Sequence, residues 1–326
     1  MAIVTFLVSA IKFGMVLLFG STGETITEKG GHLNLGLPGV MCVGTAFGCA
    51  AEAIYFDLAG GRLKMVYPLA ILIPVIATLI GGALMGLLFS FLTVTLRANQ
   101  NVTGLAMTTL GVGISDFIIA NVDDYKFTAG AKFFNMSILD ILKGFGVGDL
   151  GWFGKLFLSY GIMIYLSIAV AIVSARFLNK TKTGLHLRAV GENPATADAA
   201  GISVTKYRYV STCVGCAIAS LGGLVFVMDY LNGNWEYIID AIGWLCVALV
   251  IFTTWRPLFG IFCSIIFGAF YVAAEYIPGI GLDVKELFKM LPYVVTTVVL
   301  IIISMRNRRE DQPPAALGLP YFREDR

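Results

Sequence analysis

Long apolar runs, separated by short polar or charged stretches, recur along this chain from its first residues to about residue 305. A helix needs about 20 consecutive, mostly apolar residues to cross a bilayer. On that measure the runs predict spans at 2–20, 36–56, 66–96, 104–120, 152–178, 207–230, 240–255, 257–276 and 288–305. Backbone polar groups in lipid must be satisfied within the spanning unit, which leaves helices or a closed barrel. Barrel strands alternate in polarity, and these runs do not. The expected fold is all-α: a polytopic transmembrane helical bundle of about 8–10 spans. Segment 66–96 is long for one helix and holds Pro74 and Gly81-Gly82, so it should bend or tilt strongly. Residues 21–35 contain Gly23, Gly30 and Gly31. A loop and a re-entrant segment fit them equally.

Composition supports this pattern. Of 326 residues, 57% are hydrophobic and 13% charged, against roughly 25% charged in a soluble domain. A net charge of +2 is too small to argue for a nucleic-acid partner, so membrane lipid is the expected surroundings. Basic residues gather in 176–208 (Arg176, Lys180, Lys182, Arg188, Lys206, Arg208) and in the tail (Arg306, Arg308, Arg309, Arg323, Arg326). Between them, acidic Asp229, Glu236 and Asp240 alternate with Arg256, then with Asp283 and Glu286. The positive-inside rule makes the basic loop and the C-terminus cytoplasmic. Met1 to Phe19 lacks a basic leader and a small-residue cleavage site, so it reads as a retained span. The expected organisation is a membrane domain over 1–305, with a cytoplasmic loop at about 179–206, and a cytoplasmic tail over 306–326.

Candidate chemistry is sparse. Cys213-x-x-Cys216 has the spacing of a redox or zinc pair, but Gly215, Ala217, Ala219 and Gly222 make it a small-residue helix face. Gly82-x-x-x-Gly86 and Gly44-x-x-x-Gly48 allow close helix packing. Asn-x-Ser/Thr triplets at Asn101, Asn135 and Asn179 read as chance. The chain has no G-x-x-x-x-G-K-[ST] loop. His32 and His186 are its only histidines, and no nucleophile with a base suggests itself. No metal, no cofactor and no enzymatic activity are expected.

The most informative segment runs from Thr183 to Ile202. Pro194 suits the first turn of a helix, Ala195 to Ala200 favour helix, and Gly201 is placed to end it. A short helix with a defined start and stop in a basic loop is more than a connector needs. An ordinary solvated connector remains the other reading.

This stretch resembles the coupling loop of ABC importer permeases, in the branch that serves simple sugars and nucleosides. The family pattern is roughly T-x-x-G-x-x-x-R-A-x-G-x-N-x-x-A-A-x-x-x-G-I. Thr181 is the better match for its Thr, and Gly184, Arg188, Ala189, Gly191, Asn193, Ala197 and Gly201-Ile202 keep register. Glu28 to Gly36 resembles the family's E-R-x-G-x-x-N-I-G, and Ala98 to Ala106 its A-N-Q-x-V-x-G-L-A. Ala315 to Tyr321 resembles the ending of nucleoside-type members paired with a basic-membrane-protein lipoprotein. The likeness covers nearly the whole chain.

The resemblance implies a transport subunit of the prokaryotic cytoplasmic membrane. Its partners would be an ABC ATP-binding subunit that holds the ATP, a second permease (a paralogue), and an extracytoplasmic substrate-binding lipoprotein. It implies that Gly184, Arg188, Gly191, Glu192, Asn193, Ala197, Ala200 and Gly201 couple the chain to the ATPase. The chain departs from the family at Pro38, where Glu is usual, and at Asp240 to Gly243, where an Arg-Gly-Phe-like stretch is common.

Candidate path residues are Asn34, Asn99, Asn101, Trp235 and Trp244, with Ser115, Asp116, Asn234, Glu275 and Tyr276 behind them. Amides and aromatic rings suit an uncharged sugar or nucleobase. The tryptophans fit an interfacial belt better, and Asp116 and Glu275 fit solvated span ends better than ligands. The rival to an importer is an ion-coupled carrier, which predicts paired intramembrane carboxylates. The apolar runs show no such pair. A membrane-embedded enzyme predicts clustered His, Asp or Glu, which two separate histidines do not supply.

Overall fold

Residues 2–144, 151–277, 279, 281–306 and 312–322 are described by a computed structural model. Arg308, Arg309, Arg323 and Arg326 lie outside the described residues, so the basic tail is placed only in part. The described chain is helical throughout: α1 (Ala2–Lys29), α2 (Leu37–Ala59), α3 (Tyr67–Ser90), α4 (Gln100–Ala120), α5 (Asp124–Phe134), α6 (Ile138–Gly144), α7 (Gly151–Phe157), α8 (Ile162–Lys180), α9 (Lys182–Glu192), α10 (Pro194–Ala199), α11 (Val204–Val225), α12 (Ile239–Phe252), α13 (Pro257–Tyr276) and α14 (Leu282–Arg306). Helices α3 and α11 each run on through one π-helical turn, Phe91–Thr95 and Phe226–Tyr230.

Among the described residues, seven helices are long and apolar enough to cross a membrane, and two shorter apolar stretches lie in α12 and α14. That agrees with the expected number of spans but moves several boundaries. The first span extends to Lys29, because Gly20 and Gly23 sit inside the helix where neighbouring helices come close. The stretch predicted as one span over 152–178 is two helices, interrupted at residues 158–161. The amphipathic helix α5 was not foreseen; Asp123 caps its start by accepting a hydrogen bond from the Tyr125 amide. Segment 66–96 forms one continuous helical run despite Pro74.

Helices α2 and α11 are the most buried spans, while α3 and α4 present long apolar faces outward. Helix α1 packs along α11, α12 and α13, and α2 along α3, α4 and α11. Small residues let these backbones touch. A Cβ on Gly23 would lie 2.3 Å from the Gly215 carbonyl oxygen, and one on Gly111 2.5 Å from the Gly39 Cα.

An ion pair joins α1 to the end of α11, its aspartate buried and its lysine partly exposed. Lys12 Nζ lies 2.8 Å from Asp229 Oδ1, with Asp229 on the π-turn of α11 and 1% exposed. Lys29, Arg97, Arg188, Lys206 and Arg256 all fall at one end of the helices, called the basic end below.

Candidate functional site

At the basic end the chain makes a capped helical elbow. Thr181 closes α8 by donating to the Phe177 carbonyl, 2.7 Å, and opens α9 by accepting from the Gly184 amide, 3.0 Å. Asn193 does the same at the next junction. Its amide donates to the Ala189 carbonyl, 2.9 Å, and its Oδ1 accepts from the Thr196 amide, 3.0 Å. Pro194 keeps Asn193 extended, at φ −150° and ψ 93°. Gly201 then ends α10 in the left-handed region, φ +81°. The predicted short helix is present with its predicted start and stop, and a second helix, α9, precedes it.

The eight residues singled out in this segment divide by exposure. Arg188, Glu192, Asn193, Ala200 and Gly201 are exposed, whereas Gly184, Gly191 and Ala197 are buried against the chain itself. A Cβ on Gly191 would sit 2.3 Å from the Lys29 carbonyl oxygen, and one on Gly184 in the backbone of Phe177. Ala197 packs with Val190, Val204 and Tyr321. These three therefore hold the elbow to α1, α8 and α11, and only the exposed five face outward.

Residues 312–322 lie across this element as a strap. The Ala316 amide donates to the Gly191 carbonyl, 3.0 Å, and the Gly318 amide to the Gly31 carbonyl, 3.3 Å. Arg208 Nη1 donates to the Leu319 carbonyl, 3.2 Å, and the Tyr321 hydroxyl to Asp198 Oδ2, 2.9 Å. The strap thus joins α9, α10 and α11 to the connection between α1 and α2.

That connection, residues 30–36, is largely non-helical and turns back into the bundle, so the re-entrant alternative for 21–35 holds for its second half. His32 Nδ1 meets the Thr212 hydroxyl at 2.7 Å, and the Leu33 amide donates to Gln100 Oε1, 2.8 Å. Asn34 is 1% exposed. Its Oδ1 accepts from the Gly36 amide at 3.1 Å, and its Nδ2 lies 3.5 Å from Cys216 Sγ. Glu24 and Glu28, one turn apart on α1, are fully buried beside it, and the Trp255 indole donates to Glu28. Helix α2 consequently starts inside the bundle, packed on the middle of α4 through Met107 and Thr108.

His32 is kept neutral: burial, and then the charge of Arg208, pushes its pKa down to about 3. A depressed histidine pKa means that the unfolded chain binds the extra proton first, so stability falls as pH drops below the ordinary value near 6.5. Thermal unfolding in detergent should show a loss of about 2 kcal/mol from this group between pH 7 and pH 5. His32→Gln should remove that part of the slope, and an unchanged slope would count against a buried neutral imidazole.

The five proposed path residues do not converge. Asn34 is in the interior. Asn99 caps α4 at the basic end, accepting from the Asn101 and Val102 amides, and Asn101 is exposed beside it. Trp235 lies at the opposite end, lining a hollow of about 70 Å³ with Cys42, Ser115, Asp116 and Asp240. Trp244 is half-buried on α12. The two departures from the family pattern do meet: Gly243 lies against Pro38, where a Cβ would come 2.4 Å from the Pro38 Cα. Asp240 to Gly243 lie in the first turn of α12.

The buried pair Glu24–Glu28 corrects the sequence reading, which found no intramembrane carboxylate pair. Its signal was present as two glutamates four residues apart, but it lay in the stretch between predicted spans. Glu52 was missed too, buried on α2 against Gly130.

A bundle of apolar helices with a re-entrant polar segment and a rigid elbow at its basic end has the build of a polytopic membrane protein. The chain belongs to the family described as branched-chain amino acid transport system / permease component, whose pattern matches residues 6–303. It is 31% identical to the nucleoside ABC transporter permease protein NupC of Lactococcus lactis subsp. cremoris, over 87% of each chain. It is 28% identical to the guanosine ABC transporter permease protein NupQ of Bacillus subtilis, over 98% of this chain and 96% of the relative. To the nucleoside permease NupB of the same Lactococcus it is 23% identical, over 93% and 80%. No solved structure matches.

The chain is thus a multi-pass membrane permease component of an ABC transporter, a transport subunit and not an enzyme. Membership implies an ATP-binding subunit and a substrate-binding partner. It also decides against the ion-coupled carrier, which the buried glutamates alone would have left standing.

Proposed function

We propose that this permease carries nucleosides inward across the cytoplasmic membrane of a prokaryote, as one of two paralogous permease subunits. The observation that carries the substrate is similarity along nearly the whole chain to two permeases named for a nucleoside and for guanosine. NupB and NupC, two different relatives from one organism, support a paralogous partner. An extracytoplasmic lipoprotein delivers the substrate, and ATP is hydrolysed on separate subunits.

In this reading the basic end is cytoplasmic, and the exposed side chains of the elbow, Arg188, Glu192, Asn193 and Ala200, meet the ATPase. Residues 1–305 form the membrane domain and 306–326 a cytoplasmic tail that braces the elbow. The re-entrant segment around Asn34, with the contact of Pro38 and Gly243 above it, borders the path. A coupling element must be stiff if its contacts are to differ between two states, and the caps at Thr181 and Asn193 supply that stiffness.

The test is uptake of labelled guanosine by cells that lack their own nucleoside importers and express the chain with its neighbouring transporter subunits. Saturable uptake that disappears when the ATP-binding subunit is omitted is expected. Uptake of leucine with none of guanosine would replace the substrate, and guanosine uptake without the ATPase would overturn the mechanism.

A further inference from the structure

A cavity of about 510 Å³ opens at the basic end between the last turns of α1 and α8, the helix α9, and the turn joining α12 to α13. Three cations line it, Lys29, Arg188 and Arg256. They come from three separate elements, and Lys29 feels the charge of both arginines and of Glu28 and Glu192. Glu28 and Glu192 offset part of the repulsion among these three positive groups, and Arg188 also donates to Asn179 Oδ1; an anion in the opening would offset more. The turn that presents Arg256 is itself unusual: Thr254 and Trp255 are left-handed, at φ 52° and φ 57°. Trp255 is pinned there by its bond to Glu28 and lies under Lys29, 5.9 Å from ring centre to Nζ.

The rest of the wall is apolar, and its chemistry identifies the occupant. Leu258 and Phe259 line the cavity and are both 50% exposed. From Leu258 an uncovered stripe continues along one face of α13 through Phe262 and Ile266. Those eight residues of helix rise about 12 Å, most of one leaflet's hydrocarbon depth of about 15 Å. A free phosphate needs the cations and has no use for the stripe. A lipid with an anionic headgroup uses both, since basic pockets between spans at the cytoplasmic surface suit such headgroups.

We propose that this cavity binds an anionic phospholipid, its phosphate between Lys29 and Arg256 and one acyl chain along Leu258, Phe262 and Ile266. The bound lipid bridges the end of α1 to the α12–α13 turn. The site is separate from the nucleoside path, and its cytoplasmic placement rests on the orientation above.

The test uses the purified, delipidated permease complex, titrated with phosphatidylglycerol or phosphatidylcholine and read by native mass spectrometry for retained lipid. Phosphatidylglycerol should be held at least tenfold more tightly. Arg256→Gln, at an exposed side chain, should lower that affinity about fivefold, and Lys29→Gln with it about 25-fold. Leu258→Ser with Phe262→Ser should weaken the lipid as well. Equal retention of the two lipids, or no effect of Arg256→Gln in a protein of unchanged melting temperature, overturns the proposal. Displacement by inorganic phosphate, with no effect of the serine pair, replaces lipid by a free-anion site. Lipid held by the permease alone but expelled when the ATP-binding subunit is added overturns it too, by making the cavity a protein contact. Guanosine uptake that survives any of these outcomes leaves the transport reading intact.

Discussion

Replacing Lys12 with Met is expected to destabilise the bundle by about 3–5 kcal/mol, the usual consequence of leaving one member of a buried ion pair alone. Asp229 is 1% exposed, its Oδ1 is 2.8 Å from Lys12 Nζ, and its Oδ2 has no hydrogen-bond partner. Without the ammonium, a carboxylate would remain on the π-turn of α11 with no opposite charge beside it. The loss should spread, because Lys12 also reaches Asn135 Oδ1 at 3.4 Å, and the Asn135 amide donates to the Met228 carbonyl. Helices α1, α5 and α11 are tied at this point. Thermal unfolding in detergent measures the effect. The double change Lys12→Met with Asp229→Leu should recover most of it, since apolar replacement of a whole buried pair is often neutral. A double variant no better than the single one would show that packing, not charge, is what Lys12 supplies.

The second large effect is expected at the elbow, where two adjacent substitutions should fail in different ways. Gly191→Val puts a branched side chain into a space where a Cβ alone lies 2.3 Å from the Lys29 carbonyl oxygen. Overpacking against backbone costs about 1–3 kcal/mol or more, and here it pushes α9 off α1. Both melting temperature and uptake should drop, uptake more than tenfold. Glu192→Lys changes an exposed side chain next door. It gives up the bond Glu192 accepts from the Ala315 amide, so a drop of a few degrees is expected beside a larger loss of ATP-binding-subunit capture in pull-down. If Glu192→Lys and a matching reversal at Arg188 both leave capture intact, the exposed side of α9 is not the docking face.

The sequence makes the number of apolar helices and the elbow legible, because both rest on local rules. Pro194 after Asn193, and Gly201 beyond an alanine-rich turn, are read from neighbours in the chain. What was not legible depends on partners far away in sequence. Gly20 and Gly23 look like helix breakers until α12 and α11 are seen against them. With the first span cut short at residue 20, Glu24 and Glu28 fell outside it and the buried pair went unnoticed. The same cause hid the packing of Gly184, Gly191 and Ala197. A resemblance reports that a position matters, and only the packing reveals that these three are turned inward. Asn99 shows the converse: an amide near a span end is satisfied by capping its own helix.

The strap has a consequence for the order in which the subunit is made. Residues 315–321 leave the ribosome only after α11 to α14 have done so, yet they close over α9, α10 and Gly31, which were translated long before. During synthesis the elbow therefore waits, lacking its bonds from Ala316 and Tyr321, until α14 has been made. A chain stalled or cleaved ahead of the strap would present an elbow without its brace. In this reading, the face offered to the ATPase takes its final shape only after α11 to α14 have been made.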